Sequence, residues 1–271
     1  MSSTPETSVR GQTTAAGTTN PLIEVRGVKK SFVTRETTVN ALAEVNLDIH
    51  AGEFVSFVGP SGCGKSTLLN IIAGLLSATE GTVTVDGERL TSPRRDMAFM
   101  FQAAVLLPWR SVESNVLMPA EVMGLDKDSI RPKALEILRT VGLGDFLDAL
   151  PSQLSGGMQQ RVSLARVLTY QPKVLLMDEP FGALDEFTRE AMNLELMRLA
   201  KETGITILFV THNISEAIFL SHRVVVMSAR PSRVAGVVES PFEWPRGVEV
   251  MAQPKFTDLS FQIRTLLGGH V

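Results

Sequence analysis

The sequence predicts an α/β fold whose central sheet is mostly parallel. Strand-like runs alternate with longer helical patterns along the chain. The runs at 174–177 and 206–210 are apolar almost without interruption, so helices are expected to cover both faces of their sheet. Asp86 and Gly87 form a two-residue turn signal, which predicts an antiparallel portion near one edge.

The predicted elements follow one another from residue 22 to the C-terminal tail. Strands are predicted at 22–25, 54–58, 82–85, 97–101, 174–177, 206–210 and 224–227. Helices are predicted to begin near Lys65, Val112, Lys127, Gly156, Glu186 and Ile214. Residues 1–20 are rich in Ser, Thr and Gly and are expected to be a disordered lead-in. The tail at 241–271 contains three prolines before a short helical end.

Composition excludes several classes of protein. With 271 residues, the chain has room for one large α/β domain or for one domain with a small appendage, and not for tandem copies of a large module. Its net charge of −3 lacks the basic excess of a sequence-independent nucleic-acid binder, so no nucleic-acid partner is expected. The single Cys63 excludes an internal disulfide and favours a reducing compartment. No apolar stretch is long enough to span a membrane and no signal peptide is visible, so a separate chain is expected to supply any span.

Residues 59–67 fit the phosphate-binding pattern G-x-x-x-x-G-K-[ST], between an apolar strand and a helical pattern. Several backbone N–H groups must point inward around phosphate oxygens, and glycines permit that geometry. Lys65 is expected to contact the β- and γ-phosphates of a nucleotide and Ser66 to bind Mg²⁺. The loop alone leaves a kinase, a GTPase and an ATPase open. The predicted nucleotide-binding residues are Gly59, Pro60, Ser61, Gly62, Cys63, Gly64, Lys65, Ser66 and Thr67. The alternative for the loop is a purely structural glycine-rich turn. For Cys63 two interpretations stay open: a redox role for its thiol, or a contribution of its backbone N–H alone.

Two adjacent carboxylates end the apolar run at 174–177. At the carboxyl end of a parallel strand, Asp178 would reach the Mg²⁺ ion and Glu179 would act as general base on an attacking water. The alternative is that the two carboxylates stabilise the start of the next helix electrostatically.

Residues 154–161, LSGGMQQR, resemble the signature motif of the nucleotide-binding domains of ABC transporters. The resemblance extends over about residues 22–238 and implies a P-loop NTPase core, an antiparallel β subdomain and a helical subdomain at about 103–170 that carries the signature. It implies an ATP-binding domain at 21–240, with Gln102 as a catalytic and metal-binding glutamine. It also implies that His212 is the catalytic switch histidine, and that Phe32 stacks on adenine. A core or capping role for His212 and simple core packing for Phe32 are the alternatives.

Ser155, Gly156 and Gly157 begin a helical pattern and so form a second anion-binding helix end. An ordinary serine N-cap followed by glycines is the alternative. The resemblance implies a head-to-tail dimer in which ATP lies between Lys65 of one copy and Ser155 and Gly157 of the other. It also implies a nucleotide contact for Asp185, in the D-loop at 183–185. Met158 stands where the family most often has glutamine, and Asn213 where it has aspartate.

The segments at 106–110, 181–190 and 228–233 resemble those of importers for nitrate, sulfonates and taurine, although they could also be generic loops. Val105, Leu106, Leu107 and Trp109 form an apolar set that is expected to be exposed and to dock a partner helix. The resemblance implies that this helix belongs to a membrane permease. The resemblance therefore implies an ATP-hydrolysing motor subunit of an importer. It would be bound through the permease at the cytoplasmic face of the membrane and would depend indirectly on a solute-binding protein.

Two other functions compete with this one. A soluble ABC-type ATPase acting on nucleic acid or ribosomes would be expected to have tandem domains, a coiled-coil insertion or a zinc module. A small-molecule kinase would be expected to have a substrate lid and no LSGG sequence. The chain shows neither set of features.

Overall fold

The computed structural model describes residues 20–33, 37–182 and 184–268, so the predicted lead-in lies almost wholly outside the described residues. Over these residues the strands are β1 Ile23–Val33, β2 Thr38–Ile49, β3 Phe54–Val58, β4 Glu80–Val85, β5 Glu88–Arg89, β6 Met97–Met100, β7 Val174–Asp178, β8 Thr206–Val210, β9 Arg223–Met227 and β10 Val234–Glu239. The helices are α1 Lys65–Ile72, α2 Val112–Met123, α3 Lys127–Thr140, α4 Gly156–Leu168, α5 Glu186–Thr203, α6 Ile214–Leu220 and α7 Pro254–Leu266. The six predicted helix starts are confirmed.

The larger sheet of the described chain has the strand order β10-β9-β3-β8-β7-β6. All neighbours in it are parallel except β9 and β10, which confirms the mostly parallel core. Its central strand β3 is buried along its length: Phe54 and Val58 pack into one hydrophobic cluster, Val55 and Phe57 into the other. Because both faces are covered, the near-continuous apolar runs read from the sequence correspond to strands buried on two sides.

The smaller sheet has the order β2-β1-β4-β5 and its paired strands are antiparallel. It confirms the antiparallel portion, and the turn at Asp86 and Gly87 joins β4 to β5. Strand β2 is missing from the sequence prediction, and β1 continues well past the predicted end at residue 25. The signal for β2 was the alternation at Val45, Leu47 and Ile49, which are buried on one face of that strand.

Helices α2, α3 and α4 pack on one another in the interval between β6 and β7. They share a hydrophobic cluster with one face of the larger sheet, to which Val116, Leu138 and Val162 contribute. The boundaries 21–240 and 103–170 stay predictions, because these helices and the sheet are joined by a continuous core.

The C-terminal tail packs against the body of the protein. Phe256, Leu259 and Ile263 form the buried face of α7, which confirms the predicted helical end. Ahead of α7, the buried Arg246 donates from Nη1 to the carbonyl oxygens of Ile218 and Phe219, near the end of α6. The tail thereby supplies donors for carbonyl groups that the end of a helix leaves without an intrahelical partner.

Candidate active site

The loop 59–64 joins the carboxyl end of β3 to the first residue of α1, and it curls around the Lys65 ammonium. Lys65 Nζ donates to the carbonyl oxygens of Gly59 at 2.8 Å and Pro60 at 3.1 Å, and the residue is only 6% exposed. A desolvated ammonium at the start of a helix is a strong anion-binding arrangement. Phosphate oxygens could replace the two carbonyl oxygens as acceptors of the Lys65 ammonium.

Two features of this loop explain its residue types. Gly64 has φ of 127°, and a Cβ there would lie 2.9 Å from Leu42 Cδ2, so the position requires glycine. Cys63 buries its thiol in the hydrophobic cluster beneath the loop, while its backbone N–H donates to the carbonyl oxygen of Pro60 at 3.2 Å. The burial of the thiol favours the interpretation in which Cys63 serves through its backbone.

Ser66 and Asp178 meet at the carboxyl edge of the larger sheet. Ser66 Oγ donates to Asp178 Oδ1 at 2.8 Å. Burial raises the pKa of Asp178, and the charge of Glu179 adds to this, whereas the Ser66 hydrogen bond and Lys65 oppose it. A hydroxyl and a carboxylate within hydrogen-bonding distance of each other provide the oxygen ligands that Mg²⁺ prefers. A bound cation would also reduce the free-energy cost of burying the Asp178 charge.

Gln102, the third predicted metal-binding residue, lies two residues beyond β6, at the same edge of the sheet. Strand β6 pairs in parallel with β7, with Met100 opposite Met177. The Gln102 side chain is exposed, and no hydrogen bond within the described part of the chain joins it to Ser66 or Asp178. Its main-chain carbonyl accepts a hydrogen bond from Gln160 Nε2 at 2.6 Å.

Glu179 and His212 form a pair beyond the ends of β7 and β8. His212 Nδ1 lies 3.2 Å from Glu179 Oε2. Glu179 has φ of 45°, a left-handed conformation that is uncommon outside glycine, while its N–H donates to the carbonyl oxygen of Val210 at 2.9 Å. His212 is exposed, which excludes a place for it in the core.

Behind this pair lies a buried polar cluster that the sequence analysis missed. The Glu216 carboxylate accepts from Thr211 Oγ1 at 2.6 Å and from Asn193 Nδ2 at 3.2 Å. Burial raises its pKa, and these two hydrogen bonds oppose that shift. Asn213 caps α6 by accepting from the Glu216 N–H at 3.1 Å. Asparagine caps a helix as well as aspartate does, so the exchange noted at this position leaves the local structure intact.

The predicted second phosphate-binding element begins at α4. Ser155 is the N-cap of this helix, and its Oγ accepts a hydrogen bond from the Met158 N–H at 3.2 Å. The interpretation of Ser155 as a helix N-cap is therefore confirmed. Ser155 and Gly156 are nevertheless exposed, which leaves the helix end accessible to a ligand. Asp185 is likewise an exposed N-cap, of α5, and the hydrogen bond from Thr188 lowers its pKa.

Helix α4 also holds the segment that follows β6, through a second buried side chain that the sequence analysis missed. Arg166 donates from Nη1 to the carbonyl oxygen of Val105 at 2.8 Å and from Nη2 to that of Ala104 at 3.0 Å. Burial lowers the pKa of Arg166. Val105 has φ of 43°, a strained value for a β-branched residue, so these bonds hold the chain in an unfavourable conformation.

The apolar set at 105–109 is exposed only in part. Val105 is 58% and Trp109 73% exposed, but Leu106 and Leu107 are half-buried. Leu106 packs against the core, and the buried Asn115 binds both the N–H and the carbonyl oxygen of Leu107. The expectation of four exposed side chains was therefore wrong for these two leucines. Phe32 is 40% exposed, with Lys30 Nζ 5.0 Å from its ring centroid, so its ring is not part of the core.

The described residues include no helix that is both long and apolar enough to cross a membrane.

A family model described as ABC transporter matches residues 42–182. The chain is 44% identical to the aliphatic sulfonates import ATP-binding protein of Bacillus cereus over 224 residues, 83% of this chain and 88% of that protein. It is 42% identical to the nitrate import ATP-binding protein of Synechocystis over 256 residues, 92% of this chain and 96% of that protein.

Among solved structures, the chain is similar to a dimeric ATP-binding cassette in a post-hydrolysis state, bound to ADP and Pi. The two share 35% sequence identity with a TM-score of 0.73, over 82% of this chain and all of the other.

Proposed function

The chain belongs to the ABC transporter family, and from that premise we propose that it is the ATP-hydrolysing subunit of an importer for a small oxyanion-bearing solute such as a sulfonate, taurine or nitrate. Two of its relatives are named as ATP-binding proteins of sulfonate import and of nitrate import. The site that carries the proposal lies at one edge of the larger sheet, where Lys65, the Ser66–Asp178 pair and the Glu179–His212 pair follow three neighbouring strands.

Each group has a distinct task in this proposal. Lys65 binds the β- and γ-phosphates in place of the carbonyl oxygens that it contacts now. Ser66 and Asp178, with Gln102 as a further ligand, would hold Mg²⁺, which would supply positive charge near the phosphate oxygens. Glu179 accepts a proton at Oε from the water that attacks the γ-phosphorus as the bond to ADP breaks. His212 orients the Glu179 carboxylate, because its Nδ1 lies 3.2 Å from Glu179 Oε2.

A second copy of the chain completes the site in this proposal. One chain presents two phosphate-binding helix ends, α1 after the loop 59–64 and α4 after the exposed Ser155. A head-to-tail dimer would bring Ser155, Gly156, Gly157 and Asp185 of one copy to the nucleotide on the other, with adenine stacked on Phe32. The dimeric state of the similar cassette supports this arrangement.

The permease is the remaining partner. Val105 and Trp109 are exposed beside Gln102, so a permease helix resting on them would contact the segment that follows the nucleotide site. Through that permease the chain would be held at the cytoplasmic face of the membrane, and a solute-binding protein would act on the far side.

The proposal is tested with the purified chain and with the assembled transporter. The chain is expected to release phosphate from Mg-ATP, and Lys65→Ala to lose both binding and hydrolysis. The matched control is Lys173→Ala, which removes an exposed ammonium paired with Asp86. Capture from gently solubilised membranes is then expected to yield a permease, and the reconstituted complex to take up a sulfonate or nitrate only with ATP. Absence of nucleotide binding by the unmodified chain would refute the ATPase, and uptake of neither solute class would refute the stated solutes.

A further inference from the structure

The loop 228–233, between β9 and β10, is firmly attached on both sides. The Ser232 N–H donates to the carbonyl oxygen of Ala41 at 3.0 Å, and the Ala43 N–H donates to that of Ser232 at 2.8 Å, so the loop joins β2. Ser232 is fully buried, and its Oγ donates to the carbonyl oxygen of Ser228 at 3.0 Å. The loop therefore links the two sheets, and its backbone is fixed by bonds on either side of Arg230.

The Arg230 side chain extends from this loop to the phosphate-binding loop. Its Nε donates to the carbonyl oxygen of Gly62 at 3.1 Å, and its Nη2 donates to the same oxygen. Gly62 has φ of 69°, and a Cβ built there would lie 3.4 Å from Arg230 Nη2. A glycine at this position thus permits both the left-handed backbone and the close approach of the guanidinium.

This contact determines the direction of a neighbouring N–H group. The peptide unit between Gly62 and Cys63 is planar and trans, so its C=O and its N–H point to opposite sides. With the Gly62 carbonyl turned outward to Arg230, the Cys63 N–H is turned inward, where it donates to the carbonyl oxygen of Pro60 at 3.2 Å. That bond is at the long end of the normal range and is readily exchanged for one to a phosphate oxygen. A cation bonded to the carbonyl also polarises the peptide and makes its N–H a stronger donor.

We propose that Arg230 is a positioning residue for nucleotide binding: its guanidinium holds the Gly62 carbonyl and thereby aims the Cys63 N–H at a phosphate of the nucleotide. Arg230 acts through the peptide of the loop, and the fixed backbone of 228–233 gives the guanidinium its position. The inference rests on the proposed ATPase function and adds a residue outside the phosphate-binding loop to it.

The first test is a separation of affinity from turnover. Arg230→Ala is expected to raise the Kd for Mg-ATP about tenfold, the equivalent of ~1.4 kcal/mol, as for one lost charge-assisted bond. At saturating Mg-ATP, kcat is expected to change less than about twofold, because Glu179 and His212 are untouched. Arg233→Ala is the matched control, since Arg233 lies on the same loop, is exposed, and makes no side-chain hydrogen bond or ion pair within the described residues.

Two further measurements distinguish an effect on the orientation of the Cys63 N–H from a general loss of stability of the fold. Inorganic tripolyphosphate should lose affinity in Arg230→Ala by the same factor as ATP, whereas adenosine should lose none, because only phosphates contact the loop. The Cys63 amide resonance should shift less on nucleotide addition in Arg230→Ala than in the unmodified chain. Arg230→Gln keeps an amide N–H donor without the charge, so its Kd for Mg-ATP should lie between those of Arg230→Ala and the unmodified chain. It provides the same comparison if Arg230→Ala fails to fold.

The outcomes are distinguishable from those for the proposed function. ATP binding by Arg230→Ala and Arg230→Gln as tight as that by Arg233→Ala would overturn the inference and leave the ATPase standing. Equal losses for adenosine and tripolyphosphate would also overturn it, because they would show a general loosening of the fold. Failure of the unmodified chain and of Arg233→Ala to bind ATP would instead overturn the proposed function.

Discussion

His212 Nδ1 lies 3.2 Å from Glu179 Oε2, and the two residues follow β8 and β7, which pair in parallel with Asp178 opposite Val210. The register of one pair of strands therefore brings the two side chains together. The Glu179 N–H continues this pairing by donating to the Val210 carbonyl oxygen, while its left-handed φ turns the chain out of the strand. The strain that this conformation stores is consistent with a site selected for function.

Glu179→Gln is expected to bind Mg-ATP normally and to lose turnover by about two orders of magnitude or more, because an amide cannot accept the proton of the attacking water. Phosphate release and nucleotide affinity are to be measured on the same preparation. Glu190→Gln, which alters an exposed carboxylate on α5, is the control and should hydrolyse ATP at the unmodified rate. Near-normal steady-state hydrolysis by Glu179→Gln would remove Glu179 from the role of general base.

The Glu179→Gln variant is also expected to dimerise when ATP is added, since each nucleotide would be shared between Lys65 and the Ser155 of a second copy. Ser155→Arg in that background should abolish the shift in mass without preventing nucleotide binding by the monomer. Light scattering measures the mass. Ser129→Arg, at the exposed first turn of α3, should leave dimerisation intact. Constant mass with nucleotide demonstrably bound would count against the shared site.

How far the sequence predicted this site depended on whether the signal was local. Asp178 ends one apolar strand, His212 comes two residues after another, and Lys65 follows a third through the loop 59–64. The carboxyl ends of parallel strands meet at one edge, so the proximity of these residues could be inferred without coordinates. Arg246 gave no such signal, because the carbonyl group of Ile218, which it binds, lies 28 residues earlier in the chain. Arg230 was noticed as part of a motif, but its contact with Gly62 spans 168 residues.

The same limit applies to the fold. Strand β2 was missed because Ala41, Leu42 and Ala43 interrupt its alternating pattern: Ala41 and Leu42 are adjacent in sequence and both are buried. The partial burial of Leu106 and Leu107 depends on Asn115 and on the core beneath, which local sequence does not reveal. Tertiary contacts decided both cases.

Trp109→Glu is expected to leave the isolated chain folded and active but to weaken its capture of the permease. Trp109 is 73% exposed, so a charge at this position should change the stability of the isolated chain little. If a permease helix covers the position, the charge would be buried in the complex, and the affinity for the permease should fall several-fold to a hundredfold, ~1–3 kcal/mol. Melting temperature, basal hydrolysis and permease capture are the three measurements. Phe261→Glu, on the exposed side of α7, is the matched control. A Trp109→Glu variant that binds the permease and couples normally would contradict the proposal that the permease docks on Trp109.

Arg246→Met is expected to reduce the free energy of unfolding by ~2–4 kcal/mol, because it leaves buried carbonyl oxygens at the end of α6 and in the tail without their donor. The guanidinium bonds the carbonyls of Ile218, Phe219, Phe242 and Glu243, and burial lowers its pKa to about 10. Urea denaturation measures the change. Arg264→Met, which alters an exposed guanidinium on α7, should change stability little. Equal stabilities of the two variants would show that the tail does not depend on Arg246.

We expect the stability of the folded chain in acid to depend on His222. Its Nδ1 accepts a hydrogen bond from the Phe54 N–H at 2.9 Å, and its ring packs against Trp244 in a tilted arrangement, with 4.7 Å between the centroids. Burial lowers the pKa of His222 below its usual 6.5, the charge of Arg246 adds to this, and Glu53 opposes it. A protonated ring could no longer accept at Nδ1, so the folded state holds this histidine neutral.

The direction in which stability changes with pH follows from the protons that the folded and unfolded chains bind. Because the folded pKa lies below 6.5, the unfolded chain takes up a proton on His222 at a higher pH than the folded chain does. The contribution of His222 to stability is therefore complete above 6.5 and is lost as the pH falls from there towards the folded pKa. The variant His222→Asn keeps an acceptor for the Phe54 N–H but cannot be protonated. The free energy of unfolding, measured by urea denaturation at about pH 7.5 and about pH 5.5, should fall less in the variant, by at most ~1 kcal/mol after allowance for solvent screening. Glu216, whose raised pKa acts in the opposite direction, is common to both proteins and cancels in the comparison. His50→Asn, in an exposed turn, should retain the full acid sensitivity, and an identical pH dependence in His222→Asn would contradict the assignment.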